Sequence, residues 1–141
     1  MAPTPIELTA EMQAAIGRAL DDRAPCLLAT AGADGMPDVS YRGSVCVLDA
    51  ERLAFWERSL GEALENMRAN ARACIFYRNP ETRKAWRFYG GVSLLADGEL
   101  RQRIATLVPK VEIDRDPERK GLAVVMRIDR IREGGRVIQE R

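Results

Sequence analysis

Apolar residues recur at helical spacing in three segments of the chain. In residues 8–20 they fall every three or four positions, which predicts an amphipathic helix capped at its N-terminus by Thr4 or Thr9. The same spacing predicts a helix over residues 99–108. A further helix begins at Glu62, directly after a polar turn, and the side predicted to pack comprises Leu60, Ala63, Leu64 and Met67.

Strand-length apolar runs, separated by turn residues, fill most of the remaining sequence. Gly90 and Gly91 interrupt one pair of runs and indicate a bulge or a close approach of two backbones. Short turns should pair adjacent strands antiparallel, and such a sheet tends to close on itself to remove its edges. We therefore predict an α+β fold, mainly β, in which a six- to seven-stranded antiparallel barrel carries peripheral helices. The runs cover residues 26–30, 39–48, 53–58, 73–77, 85–89, 92–95, 122–131 and 136–138.

The segment 110–120 is rich in charge and turn residues, which predicts an exposed loop. Its carboxylates at Asp114, Asp116 and Glu118 have no aromatic neighbours in the sequence. We expect them to be solvated rather than to form an acid–base pair.

Length and charge narrow the class of protein. The chain has 141 residues, which predicts one domain over residues 1–141. Its 22 basic and 21 acidic residues leave a net charge of +1. A protein that binds nucleic acid usually has a strong basic excess, so this balance argues against such a partner.

The chain contains no histidine, which removes Ser-His and Cys-His catalysis, His-ligated zinc and His-ligated haem. The three cysteines, Cys26, Cys46 and Cys74, lie far apart in apolar runs, so we expect buried thiols and a reducing cytoplasm rather than a disulfide framework. No apolar stretch approaches the length of about 20 residues that crosses a bilayer. We expect no bound metal and no membrane partner.

One cluster that could bind a ligand lies within the run 39–48. Strict alternation would place Arg42 and Ser44 on one face of a strand. Gly43 lies between them, and the absence of a side chain would allow a ligand to approach the backbone. A solvated outer face with a glycine at a barrel corner explains the same pattern.

Two further clusters combine cations with aromatic rings. Trp56 and Arg58 share a face of the following strand, and Trp86 precedes Arg87 in a cationic and aromatic segment over residues 77–88. Such residues suit a planar anionic ligand through stacking and bidentate contacts with phosphate, and they suit single-stranded nucleic acid equally well. Core aromatics with rim arginines and a solvated turn are the structural alternatives.

No cluster contains a nucleophile paired with a base, so no catalytic residue can be assigned. If the protein is an enzyme, a cofactor should supply the reactive group while the protein positions it and tunes its electronics.

The order of these parts resembles the pyridoxamine 5′-phosphate oxidase-like proteins, the FMN-binding split β-barrel family. The resemblance covers roughly residues 25–95, and an amphipathic helix precedes it as in the family. The matching stretches are LLATAGADGMPDVSYRGSVCV, LAFWERSLGEALENMRANARACIFY and AWRFYGGVSLL.

The resemblance implies a split barrel that forms a homodimer, with two flavin sites at the subunit interface. It places the strand 42–47 along the flavin ring and its tail, and it matches Trp56 and Glu57 to an aromatic and polar pair beside the flavin. The positions that usually supply phosphate-binding cations fall on Glu62 and Ala63. The glutamine that approaches the ring in the oxidases falls near Ala85, and a substrate-binding histidine has no counterpart, so the implied activity is not that of the oxidase itself.

We predict an FMN-binding flavoprotein, a flavin-dependent oxidoreductase of unknown substrate. Arg42, Arg58 and Ser59 would hold the phosphate in place of the missing cations. The alternative is a non-catalytic protein on the same barrel, or one that holds a deazaflavin or another anionic cofactor. The full set of candidate cofactor-binding residues is Arg42, Gly43, Ser44, Val45, Trp56, Glu57, Arg58, Ser59, Trp86 and Arg87.

Overall fold

A computed structural model of the chain describes residues 2–141, which form an antiparallel sheet with helices packed around it. The helices are α1 (Ala10–Arg18), α2 (Glu62–Ala69), α3 (Glu99–Leu107) and the short α4 (Lys110–Ile113). The strands are β1 (Cys26–Ala31), β2 (Pro37–Arg42), β3 (Cys46–Asp49), β4 (Arg52–Glu57), β5 (Arg72–Arg78), β6 (Ala85–Leu95), β7 (Leu122–Glu133) and β8 (Arg136–Glu140).

The three longer helices confirm the helical periodicity in the sequence. Thr9, one of the two predicted caps, is the N-cap of α1, and its hydroxyl accepts a hydrogen bond from the backbone N–H of Met12. The predicted packing side of α2 is correct for Ala63, Leu64 and Met67 but wrong for Leu60, which precedes the helix and is 56% exposed.

The strand order of the sheet is β2-β1-β5-β6-β7-β4-β3, and β8 pairs with β7 beside this path. The sheet does not close by hydrogen bonds, because β2 and β3 are its two ends. These two ends are consecutive in the chain and are joined by the turn 43–45, so they meet where the barrel is split. The predicted antiparallel split barrel is confirmed, with eight strands rather than six or seven.

The run 39–48 is two strands, not the single long strand that its alternation predicts. β2 pairs with β1, whereas β3 pairs with β4, and the chain changes partner at Gly43 and Ser44. Alternation cannot report this change because the side chains on either side of the break continue the same apolar and polar pattern.

The runs 85–89 and 92–95, by contrast, are one strand, β6. Its register against β7 shifts between Tyr89 and Gly90, which confirms the predicted bulge. A Cβ atom at Gly90 would lie 2.0 Å from the carbonyl oxygen of Arg127, so only glycine fits this crossing of backbones.

Buried apolar side chains form two clusters, on opposite sides of β4. Leu53 and Phe55 face the larger cluster inside the curved sheet, which also receives α1. Ala54 and Trp56 face a smaller cluster beneath α3 and α4, which contains Ile113. The predicted exposed loop 110–120 is therefore wrong in part, because Ile113 anchors α4 to the core.

One face of the sheet is left without such a cover. In an antiparallel pair, residues directly opposite each other lie on the same face of the sheet. The registers of β1, β2, β5 and β6 therefore place one set of side chains side by side across these four strands. Val39 and Tyr41 are 63% and 69% exposed, so this surface carries large apolar groups in contact with solvent. We name it the open sheet face, and it comprises Leu27, Ala29, Val39, Tyr41, Cys74, Phe76, Arg87 and Tyr89.

Candidate functional site

Seven of the ten candidate residues line one small cleft at the split of the barrel. The turn that follows β2 meets the end of β4 here, around a depression of about 100 Å³ that we name the split cleft. Its lining comprises Tyr41, Arg42, Gly43, Ser44, Trp56, Glu57, Arg58, Ser59 and Glu112.

An ion pair between Arg42 and Glu57 forms the floor of the split cleft. Arg42 Nη2 lies 2.8 Å from Glu57 Oε2, and the two side chains are 14% and 2% exposed. Arg42 Nη1 also donates to the hydroxyl of Ser40 and to the carbonyl of Tyr41, each at 2.8 Å. Its Nε is buried and has no partner among residues 2–141, so this N–H of the guanidinium is an unused donor.

Ser44 joins the two sides of the split through its side chain. The Ser44 hydroxyl donates to the carbonyl oxygen of Trp56 at 3.1 Å and accepts from the backbone N–H of the same residue at 3.0 Å. These two bonds take the place of a backbone pair between β3 and β4, just before the first residue of β3. The hydroxyl is thus engaged in holding the turn against β4.

The ring of Trp56 faces the core rather than the split cleft. The guanidinium of Arg101 lies over it at 4.7 Å, and its Nε1 donates to Asp116 Oδ2 at 2.8 Å. The predicted pairing of this ring with Arg58 does not occur, because β4 is covered on both sides and α3 packs against the Trp56 side. Trp56 therefore contributes backbone, not an aromatic platform, to the cleft.

Asp116 is buried and structural, which corrects the expectation that it is solvated. Besides Trp56, it accepts from the backbone N–H groups of Lys120 and Gly121 at 2.9 and 2.7 Å. Burial by itself raises the pKa of the carboxyl, but these hydrogen bonds and the charge on Arg119 together hold the pKa of Asp116 below its ordinary value. The carboxylate fixes the segment after α4 against β4.

Glu112, on α4, covers the glycine of the turn. A Cβ atom built on Gly43 would lie 3.0 Å from Glu112 Cδ and 3.0 Å from its Oε1, so the carboxylate packs directly on the glycine backbone. The Glu112 side chain is 17% exposed, and its ion-pair partner, Arg115, is distant at 3.9 Å.

The rim of the split cleft is open to solvent. Arg58 and Ser59 are exposed, and no carboxylate among residues 2–141 lies within ion-pair distance of Arg58. Glu62 is exposed at the start of α2, so the N-terminus of that helix carries a negative side chain rather than a phosphate-binding cation.

The remaining three candidates lie elsewhere. Val45 is 5% exposed and packs in the larger core cluster. Trp86 is buried, stacks on Tyr77 at 5.5 Å and donates to Glu133 at 2.9 Å. Arg87 lies on the opposite side of β6 from Trp86, on the open sheet face, where its guanidinium is 4.8 Å from the centre of the Phe76 ring.

Sequence reasoning missed Glu112, Arg101 and Asp116 as neighbours of the site. The Trp56–Asp116 bond joins residues 60 positions apart. Such contacts come from the docking of α3 and α4 on the second face of β4, and no local pattern in the segment 110–120 indicates them. The apolar pair Val111 and Ile113 within this charged segment was the one available sign of a packed turn.

A roomier depression of about 510 Å³ lies between the ends of β1, β5 and β6 and the β7–β8 hairpin. Its arginines are paired with carboxylates: Arg130 with Glu140 at 2.7 Å, and Arg141 with Glu51 at 2.9 Å. It therefore offers an anion less unused positive charge than the split cleft does.

Two of the three cysteines are buried thiols. Burial raises the pKa of Cys26 and of Cys46 to about 12, so neither is a thiolate near neutral pH. All three cysteines are free. Within residues 2–141, no group of three or more acidic or cysteine side chains is placed to hold a metal ion. No helix in this part of the chain is long and apolar enough to span a membrane.

Comparison with known proteins identifies the family to which this architecture belongs. The family model for pyridoxamine 5′-phosphate oxidase matches residues 9–132, so the chain belongs to the pyridoxamine 5′-phosphate oxidase family. A search of curated protein sequences finds no match.

Solved structures share the fold at low sequence identity. A candidate pyridoxamine 5′-phosphate oxidase from Lactobacillus delbrueckii has 24% identity and a TM-score of 0.70, over 89% of this chain and 93% of the other. An FMN-binding protein from Syntrophomonas wolfei has 15% identity and a TM-score of 0.71, over 89% and 86%. A haem storage protein from Vibrio cholerae has 20% identity and a TM-score of 0.66, over 91% and 96%. The fold therefore accommodates more than one ligand.

Proposed function

We propose that this protein is an FMN-binding flavoprotein, a cytoplasmic flavin-dependent oxidoreductase that acts on a small molecule as a homodimer. Within a fold that the Syntrophomonas FMN-binding protein shares, Arg42, Arg58 and Ser59 line one cleft beside a glycine-containing turn. This convergence of separately predicted anion-binding residues is the observation that carries the proposal.

The residues of the split cleft suit an anionic group. Arg42 Nε is a buried donor without a partner, and a buried unsatisfied donor is costly unless a ligand or water accepts from it. Arg58 adds an exposed cation, and Ser59 adds a hydroxyl. These three residues would hold the FMN phosphate in the absence of the usual cations near Glu62 and Ala63. When bound, the flavin ring would supply hydride transfer.

A flavin is larger than the cleft, so its ring must lie beyond it. Tyr41 belongs both to the cleft lining and to the open sheet face, which makes the two surfaces continuous. We propose that a second copy of the chain covers the open sheet face and that the ring lies between the two copies near Tyr41. Large apolar side chains at 63% and 69% exposure support such a partner, since exposed apolar patches mark interaction sites.

A second candidate function is a non-catalytic protein or one that binds a deazaflavin or another anionic cofactor. The Arg42–Glu57 pair favours this alternative, because Glu57 already neutralises the cation nearest to the cleft floor. A deazaflavin presents a similar tricyclic ring and would occupy the same surface. A haem ligand would have to bind through a residue other than histidine, which the chain lacks.

The proposal is tested by titrating FMN with the protein and following the quenching of flavin fluorescence. Arg58→Ala should weaken FMN binding about tenfold, because it removes one charge-assisted contact with the phosphate. The control is Arg68→Ala, which removes the same charge from an exposed arginine in the last turn of α2. Its affinity for FMN should stay within about twofold of that of the unmodified protein, because solvent and salt screen a charge outside the cleft. Equal affinities in all three proteins would contradict the assignment of Arg58 to the phosphate.

A further inference from the structure

The split cleft contains a carboxylate that the flavin proposal does not use. Glu112 reaches the cleft from α4 and packs against Gly43, on the same depression that Arg58 and Ser59 line. This inference rests on the proposed flavin site.

Buried residues that follow Glu112 in the chain hold its backbone in place. The next residue, Ile113, is 5% exposed in the cluster beneath α3 and α4. Asp116 then fixes the following turn through its bond with the Trp56 ring at 2.8 Å. These two anchors fix the backbone of α4, so Glu112 begins from a backbone position beside the cleft, and its side chain is 17% exposed.

The charges that line the cleft nearly cancel. Arg42 is paired with Glu57 at 2.8 Å, which leaves Arg58 as the cation without a carboxylate partner among residues 2–141. Glu112 adds a second negative charge to the same lining. Its ion-pair partner, Arg115, is 3.9 Å away and 58% exposed, so it neutralises that charge only weakly. A dianionic phosphate that enters this cleft therefore meets one unpaired cation and one further carboxylate.

We propose that Glu112 is a specificity-determining residue: its carboxylate penalises a flavin that carries a phosphate relative to the same flavin without one. A like charge a few ångströms from the phosphate acts only on the charged tail, because the neutral ribityl chain and ring have no net charge to repel. The ratio of FMN affinity to riboflavin affinity is thus the quantity that Glu112 controls.

The test measures dissociation constants for FMN and for riboflavin by fluorescence quenching in the unmodified protein and in Glu112→Gln. We expect Glu112→Gln to tighten FMN binding by about tenfold or more while riboflavin changes by less than about twofold, as removal of a like charge close to the phosphate would give. Glu112→Ala should shift the ratio in the same direction, because charge and not side-chain shape is responsible.

Glu118→Gln is the matched control. This glutamate lies in the same charged segment and changes the net charge equally, but its side chain is 74% exposed and it does not line the cleft. Its FMN-to-riboflavin ratio should equal that of the unmodified protein.

Three outcomes would overturn the inference. If flavins bind but the ratio is the same in Glu112→Gln and the unmodified protein, Glu112 does not set specificity, while the proposed flavin site stands. If both flavins tighten equally, Glu112 acts by occupying space rather than by charge. If neither flavin binds any of the proteins, both this inference and the proposed function are contradicted.

Discussion

At the scale of single residues, the site depends on how Arg42 is partnered. Glu57 is 1% exposed, so an Arg42→Ala change would leave a buried carboxylate without its counter-ion. Removing one partner of a buried ion pair commonly costs about 3–5 kcal/mol. A loss of ligand binding in that variant would not separate binding from folding, which is why exposed Arg58 is the better probe of the phosphate contact.

Asp116 provides a prediction about stability. Asp116→Asn should lower the free energy of unfolding by about 1–3 kcal/mol near neutral pH, because the amide cannot accept from Trp56, Lys120 and Gly121 as the carboxylate does. Chemical denaturation monitored by Trp fluorescence measures this change. Asp114→Asn, whose side chain is 52% exposed, should change stability little.

The same carboxylate predicts a pH dependence. The pKa of Asp116 is lowered in the folded protein, so its contribution is fully present above the pKa of about 3.9 that an unfolded aspartate has. That contribution is lost as the pH falls through the lower folded-state pKa. The stability difference between the unmodified protein and Asp116→Asn should therefore shrink as the pH falls below about 4. A difference that stays constant across this range would contradict the assigned role.

Neither Asp116 nor Glu112 could be assigned from the sequence alone. The segment 110–120 is charged throughout, and its local pattern is that of a solvated loop. Its carboxylates acquire their roles only when Ile113 docks beneath α3, which is a tertiary event. Arg58 and Ser59, by contrast, could be selected as candidates because they lie where the apolar run of β4 ends, and Arg42 because it is a cation beside a glycine within a strand-length run.

At the scale of the elements, the periodicities of helix and strand located nearly every element. The break between β2 and β3 could not be predicted, because residues on both sides preserve the alternation and the change of strand partner is a long-range event. The bulge in β6 could be predicted, because paired glycines are a local sign of backbone crowding.

The bulge gives the prediction for this scale. Gly90→Ala should destabilise the protein by about 3 kcal/mol or more, since its Cβ would overlap the backbone carbonyl of Arg127 and force β6 and β7 apart. Thermal unfolding followed by circular dichroism measures the effect. The control is Gly91→Ala, whose Cβ would lie 3.7 Å from the nearest backbone oxygen and should be tolerated. Equal melting temperatures for the two variants would contradict the account of this crossing.

At the scale of the whole molecule, the open sheet face predicts self-association. Tyr41→Glu should convert a dimer to a monomer, because it places a charge within the proposed apolar interface. Sedimentation velocity measures the change. Val111→Glu alters a residue of α4 that is similarly exposed, at 57%, but does not belong to the open sheet face. It should leave the dimer intact, and dissociation by both variants alike would contradict the choice of surface.

The fold class follows from the sequence pattern, and the family follows from the match over residues 9–132. The ligand is not determined by either, because the solved structures with this fold include an FMN-binding protein and a haem storage protein. The feature of this chain that bears on the ligand is the charge distribution of the split cleft, which Arg58, Glu57 and Glu112 all line.

The most direct test of flavin binding is the visible absorption spectrum of the purified protein, recorded before and after addition of FMN and removal of unbound ligand. We predict the two-band spectrum of bound oxidised flavin, retained with about one FMN per chain, as expected for one split cleft in each copy of a symmetric dimer. A protein that remains colourless after this treatment and leaves FMN fluorescence unquenched would contradict the account.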